Sequence, residues 1–297
     1  MSASHSGSFH SLDAQVTLEG FNAEEQRELQ HHWGYSAGLT FTRTIIIRKE
    51  AVPPPTGTSQ LVPVAGVPVP CWVTEKDFWV TTDLHVKMTG SHAVFTVSPG
   101  SLSPDLWLLA FAEVHRAGGW LLFHAAVATK DGNAIAITGE SGAGKSTAAL
   151  RLSGQGTNLL AEDQAWVRPA DGLVIGFDPY LRVLPDTLAR FAPHLMDRSV
   201  GFDPHGKHLL PFLQPGQSAV LRELLVFGLS ASASRALQAR AVWESVGVPL
   251  TAAGRQVTAT GISALLRYLK VQSVTRENVL SQVLTGLSPT PDTSVLV

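Results

Sequence analysis

The chain has 297 residues, of which 44% are hydrophobic and 15% charged, with a formal net charge of -2. That length holds one large domain or two modest ones, and its scattered Lys and Arg exclude the clustered basic field that a nucleic-acid partner needs. A single cysteine, Cys71, excludes an internal disulfide framework and a cysteine-based metal site, which fits a reducing, cytoplasmic setting.

The first ten residues, MSASHSGSFH, carry neither a basic nor an apolar leader region, and residues 1–13 read as a frayed tail. Asn22-Ala-Glu-Glu-Gln-Arg then opens a short capped helix. From Thr40 to Val97 the texture is β-branched: Thr44–Arg48, Cys71–Thr74, Phe78–Thr81, Leu84–Lys87 and Ala93–Val97 alternate with turn residues, the pattern of an antiparallel meander. The proline-rich stretch from Val52 to Pro70 reads as a loop, because proline cannot donate to a ladder. Ser103-Pro104 starts a helix that Gly118-Gly119 stops. Polar residues at Glu113, His115 and Arg116 interrupt the apolar texture there, short of the roughly 20 residues a membrane span requires. No membrane partner is expected.

Trp120–Ala128 reads as one strand, Lys130–Asn133 as a tight turn, and Ala134–Thr138 as the partner strand. A helix over 145–153 and a short strand over 158–161 follow, then loops with strands near Leu173–Ile175 and Leu224–Phe227, and a helix near Ile262–Lys270. Three stretches result: the tail over 1–13, a β-rich region over 14–103, and a core with a C-terminal extension over 104–297.

Between the second of those strands and its helix, Gly139-Glu140-Ser141-Gly142-Ala143-Gly144-Lys145-Ser146 satisfies G-x-x-x-x-G-K-[ST]. A turn wrapped around phosphates needs residues without a Cβ, so that successive amides point inward, and the helix N-terminus adds partial positive charge. Residues 139–147, ending at Thr147, are therefore the candidate ATP-binding segment, with Lys145 reaching the β- and γ-phosphates and the Ser146 hydroxyl on Mg²⁺. Downstream, the short apolar strand before Glu162-Asp163 should return both acids beside the phosphates, one to hold the metal and one to accept a proton. His124 stands in the strand that pairs with the one entering the glycine-rich turn.

His124, the loop from Gly139 to Ser146, and Glu162-Asp163 together resemble the HPr kinase/phosphorylase family, whose core is similar to that of ATP-dependent phosphoenolpyruvate carboxykinase. The resemblance covers roughly residues 118–170. It implies an α/β fold with a P-loop core of that type and a mixed sheet, here with a β-rich N-terminal portion. It also implies that Asp163 is the general base toward an acceptor hydroxyl, Lys145 the phosphate clamp, Ser146 with Glu162 and Asp163 the Mg²⁺ ligands, and His124 a neighbour that tunes the acid. The implied cofactors are ATP and Mg²⁺, the implied partner is a hydroxyl-bearing peptide, protein or small molecule, and a homo-oligomer is compatible with it. Glu162 departs from the family's first aspartate, and the family's glycine-rich segment after the acids has no match. For a further metal-ligating acid Asp178 and Asp186 are both candidates.

Arg182 is either a stabiliser of transition-state charge or a surface residue, and Lys207 either a lid lysine or part of a solvated turn. His205 and His208 have ligand-like spacing without a third ligand. The competing reading from another class is an ATP-binding regulatory module that changes shape without phosphotransfer. Acceptor-dependent ADP release separates the two.

Overall fold

The computed structural model describes residues 7–64, 66–75, 77–100, 102–211 and 216–288. It is an α/β protein with mixed sheets, divided into two compact units. One unit holds residues up to Leu121 together with Val248–Gly261, and the other holds Leu122–Gly247 with Ile262 onward. The helix expected to open the second region at residue 104 thus belongs to the first unit.

In the first unit, β1 (Gly7–Ser11) and β2 (Ala14–Glu19) form a hairpin, followed by α1 (Ala23–Trp33), whose N-cap Asn22 makes a full capping box with Glu25. The tail expected over 1–13 is corrected for residues 7–13: alternate residues Phe9, Ser11, Ala14 and Val16 are buried, so the hairpin belongs to the sheet. Residues 1–6 lie outside the described residues. Next come β3 (Arg43–Lys49), β4 (Thr58–Val64), β5 (Val67–Val73), β6 (Asp77–Val80), β7 (Leu84–Thr89), β8 (His92–Val97) and α2 (Pro104–Ala117).

The strand order is β1-β2-β3-β8-β7-β6-β5-β4. β4 to β8 form the expected meander, but β3 runs parallel to both neighbours, because α1 makes the crossover from β2. The proline-rich stretch is also corrected, since Thr58–Val64 and Val67–Val73 pair as a hairpin. Among the described residues β4 is an edge strand with no outer ladder, and β5 pairs with β6 over Cys71–Val73, leaving Pro68 and Pro70 outside that ladder.

The second unit begins with β9 (Leu121–His124), β10 (Ala126–Lys130), β11 (Asn133–Thr138), α3 (Lys145–Ser153), β12 (Asn158–Ala161), β13 (Gln164–Arg168), β14 (Leu173–Gly176) and β15 (Tyr180–Val183). α4 (Pro185–Phe191), β16 (His208–Pro211), β17 (Ser218–Phe227), α5 (Arg235–Ser245), α6 (Ala252–Leu265, whose residues up to Gly261 belong to the first unit), β18 (Lys270–Val274) and α7 (Val279–Gly286) complete the order of elements. The sheet order is β12-β10-β11-β17-β14-β13-β9, with β18 also on β17. Asp131 and Gly132 both take positive φ, as a two-residue hairpin turn between β10 and β11 requires. β11 is parallel to β17 and buried along nearly its whole length, which explains its unbroken Ala-Ile-Ala-Ile run.

One face of this sheet packs Ala126, Ile135, Ile137 and Leu225 against Ala148, Ala149 and Leu152 of α3 and Val279 and Val283 of α7. Each leucine fully buried there contributes about 1.5–3 kcal/mol. That packing fixes where α3 starts, and so where the glycine-rich loop lies.

Candidate functional site

The loop leaves β11 at Gly139 and enters α3 at Lys145. All three of its glycines take positive φ, and two of them also shape its ends. Gly139 has φ 150 and a Cβ there would stand 2.7 Å from the Phe227 Cβ; Gly144, the N-cap of α3, has φ 121. The Lys145 side chain folds back along the loop, donating to the carbonyls of Gly139 at 2.8 Å and Glu140 at 3.2 Å. Burial draws its pKa below the usual lysine range, against the opposing pull of Asp163 and Glu162, and Lys207 is close enough to add to the lowering. Glu140, Ser141 and Gly142 are exposed, and Ala143, Gly144, Ser146 and Thr147 are half-buried.

Glu162 and Asp163 sit between β12 and β13, and the structure does bring them to the start of α3. The Ser146 hydroxyl donates to Glu162 Oε1. Asp163 Oδ1 pairs with His124 Nδ1 at 2.8 Å. Arg182, on β15, holds both acids: Nε donates to Glu162 Oε2 at 3.2 Å and Nη2 to Asp163 Oδ2 at 3.0 Å. Of the two expectations for Arg182, the surface one is corrected. Burial would lower its pKa, but Glu162, Asp163 and Asp178 outweigh that and hold it above its usual value.

His124 reaches Asp163 by a route the sequence reading misplaced. The single strand expected over 120–128 breaks at Ala125, whose amide donates to the Asp163 carbonyl, so His124 ends β9 at the far side of the sheet order while β10 pairs with β11. Thr138 on β11 still touches it, donating from Oγ1 to the His124 carbonyl at 3.1 Å.

Asp178, one of the two acids left open, has a different place from Asp186. Asp186 is exposed in the first turn of α4. Asp178 is 4% exposed, and its Oδ2 accepts from three consecutive amides, Glu162 at 2.8 Å, Asp163 at 2.7 Å and Gln164 at 2.8 Å. One carboxylate oxygen thereby shapes the turn that carries both acids. Burial, followed by the charge of Asp163, pushes Asp178 up to about 7 against the pull of those amides. Removing the acceptor strands three donors: the buried Glu162 amide, worth about 1–3 kcal/mol, and the half-buried amides of Asp163 and Gln164, worth less because water reaches them. Asp178→Ala is therefore expected to lose about 2–4 kcal/mol in urea unfolding, with Asp178→Asn losing less than half of that because its carbonyl still accepts. Equal losses would contradict the three-amide account.

Asp163 has the opposite displacement. Burial raises it, but His124, Arg182 and Lys145 outweigh burial and hold it below the usual carboxylate range. A carboxylate depressed in the native state stabilises the fold at pH above its unfolded value near 3.9, and that contribution fades as pH falls through the native value. Asp163→Asn should consequently lose less stability than the wild type on acidification below about pH 4, read from urea midpoints across pH. Parallel curves would disprove it.

Arg276, in the turn after β18, has no sequence motif to announce it. Its Nε donates to the Ala143 carbonyl at 2.9 Å and its Nη2 to the Gly142 carbonyl at 2.6 Å, so it grips the outer side of the glycine-rich loop. Only the chain's return through β18, parallel to β17, brings it there.

Lys207 lies in a turn in which Asp203 Oδ1 accepts from the amides of His205 and Lys207. His208 Nδ1 contacts the Ser199 hydroxyl at 3.0 Å. Among the described residues no group of three or more His, Cys, Asp or Glu side chains could hold a metal. No helix among them is long and apolar enough to cross a membrane.

Known proteins are similar to the chain over a limited stretch. An HPr kinase/phosphorylase of Clostridium botulinum (strain Eklund 17B) is 40% identical over 60 residues, 20% of each chain. An HPr kinase/phosphorylase of Clostridium kluyveri is 48% identical over 50 residues, 17% of this chain and 16% of that one. The chain thus spans about a fifth or less of the length of the curated relatives it matches. No family model matches the chain. The local likeness points to a family related to these kinases.

Proposed function

We propose that the protein is an ATP-dependent kinase built on a P-loop core of the HPr kinase/phosphoenolpyruvate carboxykinase type, transferring the γ-phosphoryl group of ATP to a hydroxyl acceptor. The observation that carries this reading is the Ser146–Glu162 contact beside an Asp163 held by His124 and Arg182, at the mouth of a G-x-x-x-x-G-K-S loop. The local likeness to HPr kinase/phosphorylase supports it.

Mg²⁺ with ATP fits these residues. A hydroxyl and a carboxylate in direct contact supply hard oxygen donors, and Mg²⁺ typically takes one or two carboxylates plus substrate phosphates in preference to an all-protein cage. Ser146 and Glu162 would hold the ion, with Asp163 adjacent; bound there, it would neutralise charge on the β- and γ-phosphates.

The protein's own residues do the rest by positioning. Lys145 leaves its loop carbonyls for the β- and γ-phosphate oxygens, and the amides at the start of α3 face the phosphate chain. Asp163 aligns the acceptor hydroxyl and takes its proton, while His124 and Arg182 fix the carboxylate's orientation.

The test is acceptor-dependent ADP release from labelled ATP with Mg²⁺, together with binding of the fluorescent analogue mant-ATP. Lys145→Ala should abolish turnover with an unchanged circular dichroism spectrum. Wild-type-like turnover by that variant would refute the reading.

A further inference from the structure

A cavity of about 630 Å³ opens beside the first half of the glycine-rich loop, with Gly139, Glu140 and His124 on one side and residues of α5 on the other. Its volume falls in the range of small-molecule sites, roughly 300–1,000 Å³. Resting on the kinase reading above, we propose that this cavity is the acceptor subsite and that the acceptor is a small alcohol with an apolar face, not a serine on a protein surface.

Two observations orient it. The Lys145 ammonium lies on the carbonyls of Gly139 and Glu140, and a lysine of this motif serves the β- and γ-phosphates. The β- and γ-phosphates that this lysine serves are thereby directed to the part of the loop that borders the cavity. His124 makes the second link: its ring lines the cavity, its side chain is 54% exposed, and its Nδ1 is 2.8 Å from the Asp163 carboxylate. A hydroxyl entering from the cavity thus comes to the start of the glycine-rich loop and to His124, the residue through which the cavity adjoins Asp163.

The walls name the chemistry. Phe227, Leu229, Leu237 and Ala241 form an apolar side, and Arg240 and Glu244 pair with each other at 2.7 Å on the helix at the rim. An acceptor with a hydrophobic body covers the first and leaves its hydroxyl toward His124. In the transfer, the acceptor oxygen bonds to the γ-phosphorus, the bond from that phosphorus to the β–γ bridging oxygen breaks, ADP departs with that electron pair, and the hydroxyl proton passes to Asp163.

The full chain is assayed with Mg²⁺ and γ-labelled ATP against a panel of aryl and alkyl glycosides, glycerol as an alcohol without an apolar face, and a serine-containing decapeptide. The expected result is transfer to a glycoside with kcat/KM at least about tenfold above both comparators. Ala241→Trp, which fills the cavity, should raise the glycoside KM about tenfold or more with mant-ATP affinity little changed; Leu237→Gln, at an exposed position, is the second variant should the tryptophan hinder folding. Preferred transfer to the peptide, no transfer to any glycoside, or a tenfold weakening of mant-ATP binding by either variant would overturn the assignment. Failure of the wild type to bind mant-ATP would instead sink the kinase reading itself.

Discussion

Asp163→Asn should lower the rate of phosphoryl transfer by about 10²- to 10⁴-fold, the usual share of a positioned acid or base. Asparagine keeps the size and one acceptor atom, which can still face Arg182, while its amide nitrogen takes the place of the oxygen paired with His124; the Ala125 amide is unaffected, because it donates to the backbone carbonyl of residue 163. ATP affinity should change little, because the loop and Lys145 are untouched. The measurement is single-turnover transfer at saturating ATP and acceptor. A drop of less than about fivefold would mean that Asp163 only braces Arg182.

Gly176→Ala should be among the most damaging substitutions of one methyl group in the chain. Gly176 ends β14, and a Cβ there would lie 1.5 Å from the Leu160 carbonyl oxygen of β12, with the Leu160 carbonyl carbon at 2.3 Å. The obstacle is backbone, which cannot rotate away. β12 must shift, and it carries Glu162 and Asp163 at its end. We expect a loss of at least about 3 kcal/mol, and with it a melting temperature lower by roughly 6–12 °C. A melting temperature within about 2 °C of wild type would refute the close approach. Activity should fall in parallel, since the acids move with the strand.

How far the sequence carries differs from element to element. The helix over 145–153 and the Asp131-Gly132 hairpin were readable because both depend on local rules: a glycine-rich entry for the helix, and a pair of residues that tolerate positive φ for the turn. The prolines between Val52 and Pro70 misled because their penalty depends on which side of a strand must donate, and that is decided by the neighbours. The break at Ala125 depends on a hydrogen bond to Asp163, distant in sequence. In the site, the loop and the acid pair lie in short motifs, whereas Asp178, Arg182 and Arg276 each arrive on a different later strand or turn. Nothing in their local sequence separates them from surface charges. Arg182 offered one faint signal, a cation placed four residues after an acid; it does lie 3.8 Å from Asp178, but its hydrogen bonds go to Glu162 and Asp163.

The single oxygen of Asp178 that collects three consecutive amides has a consequence for motion. Those amides should exchange with deuterium among the slowest of any outside the central strands, though two of the three, those of Glu162 and Asp163, lie in neither helix nor strand. The exposed tip at Glu140–Gly142 should exchange far sooner. One wall of the site is then stiff on the timescale of hours and the facing wall compliant, so adaptation to an incoming nucleotide falls to the glycines, while the carboxylates wait in place.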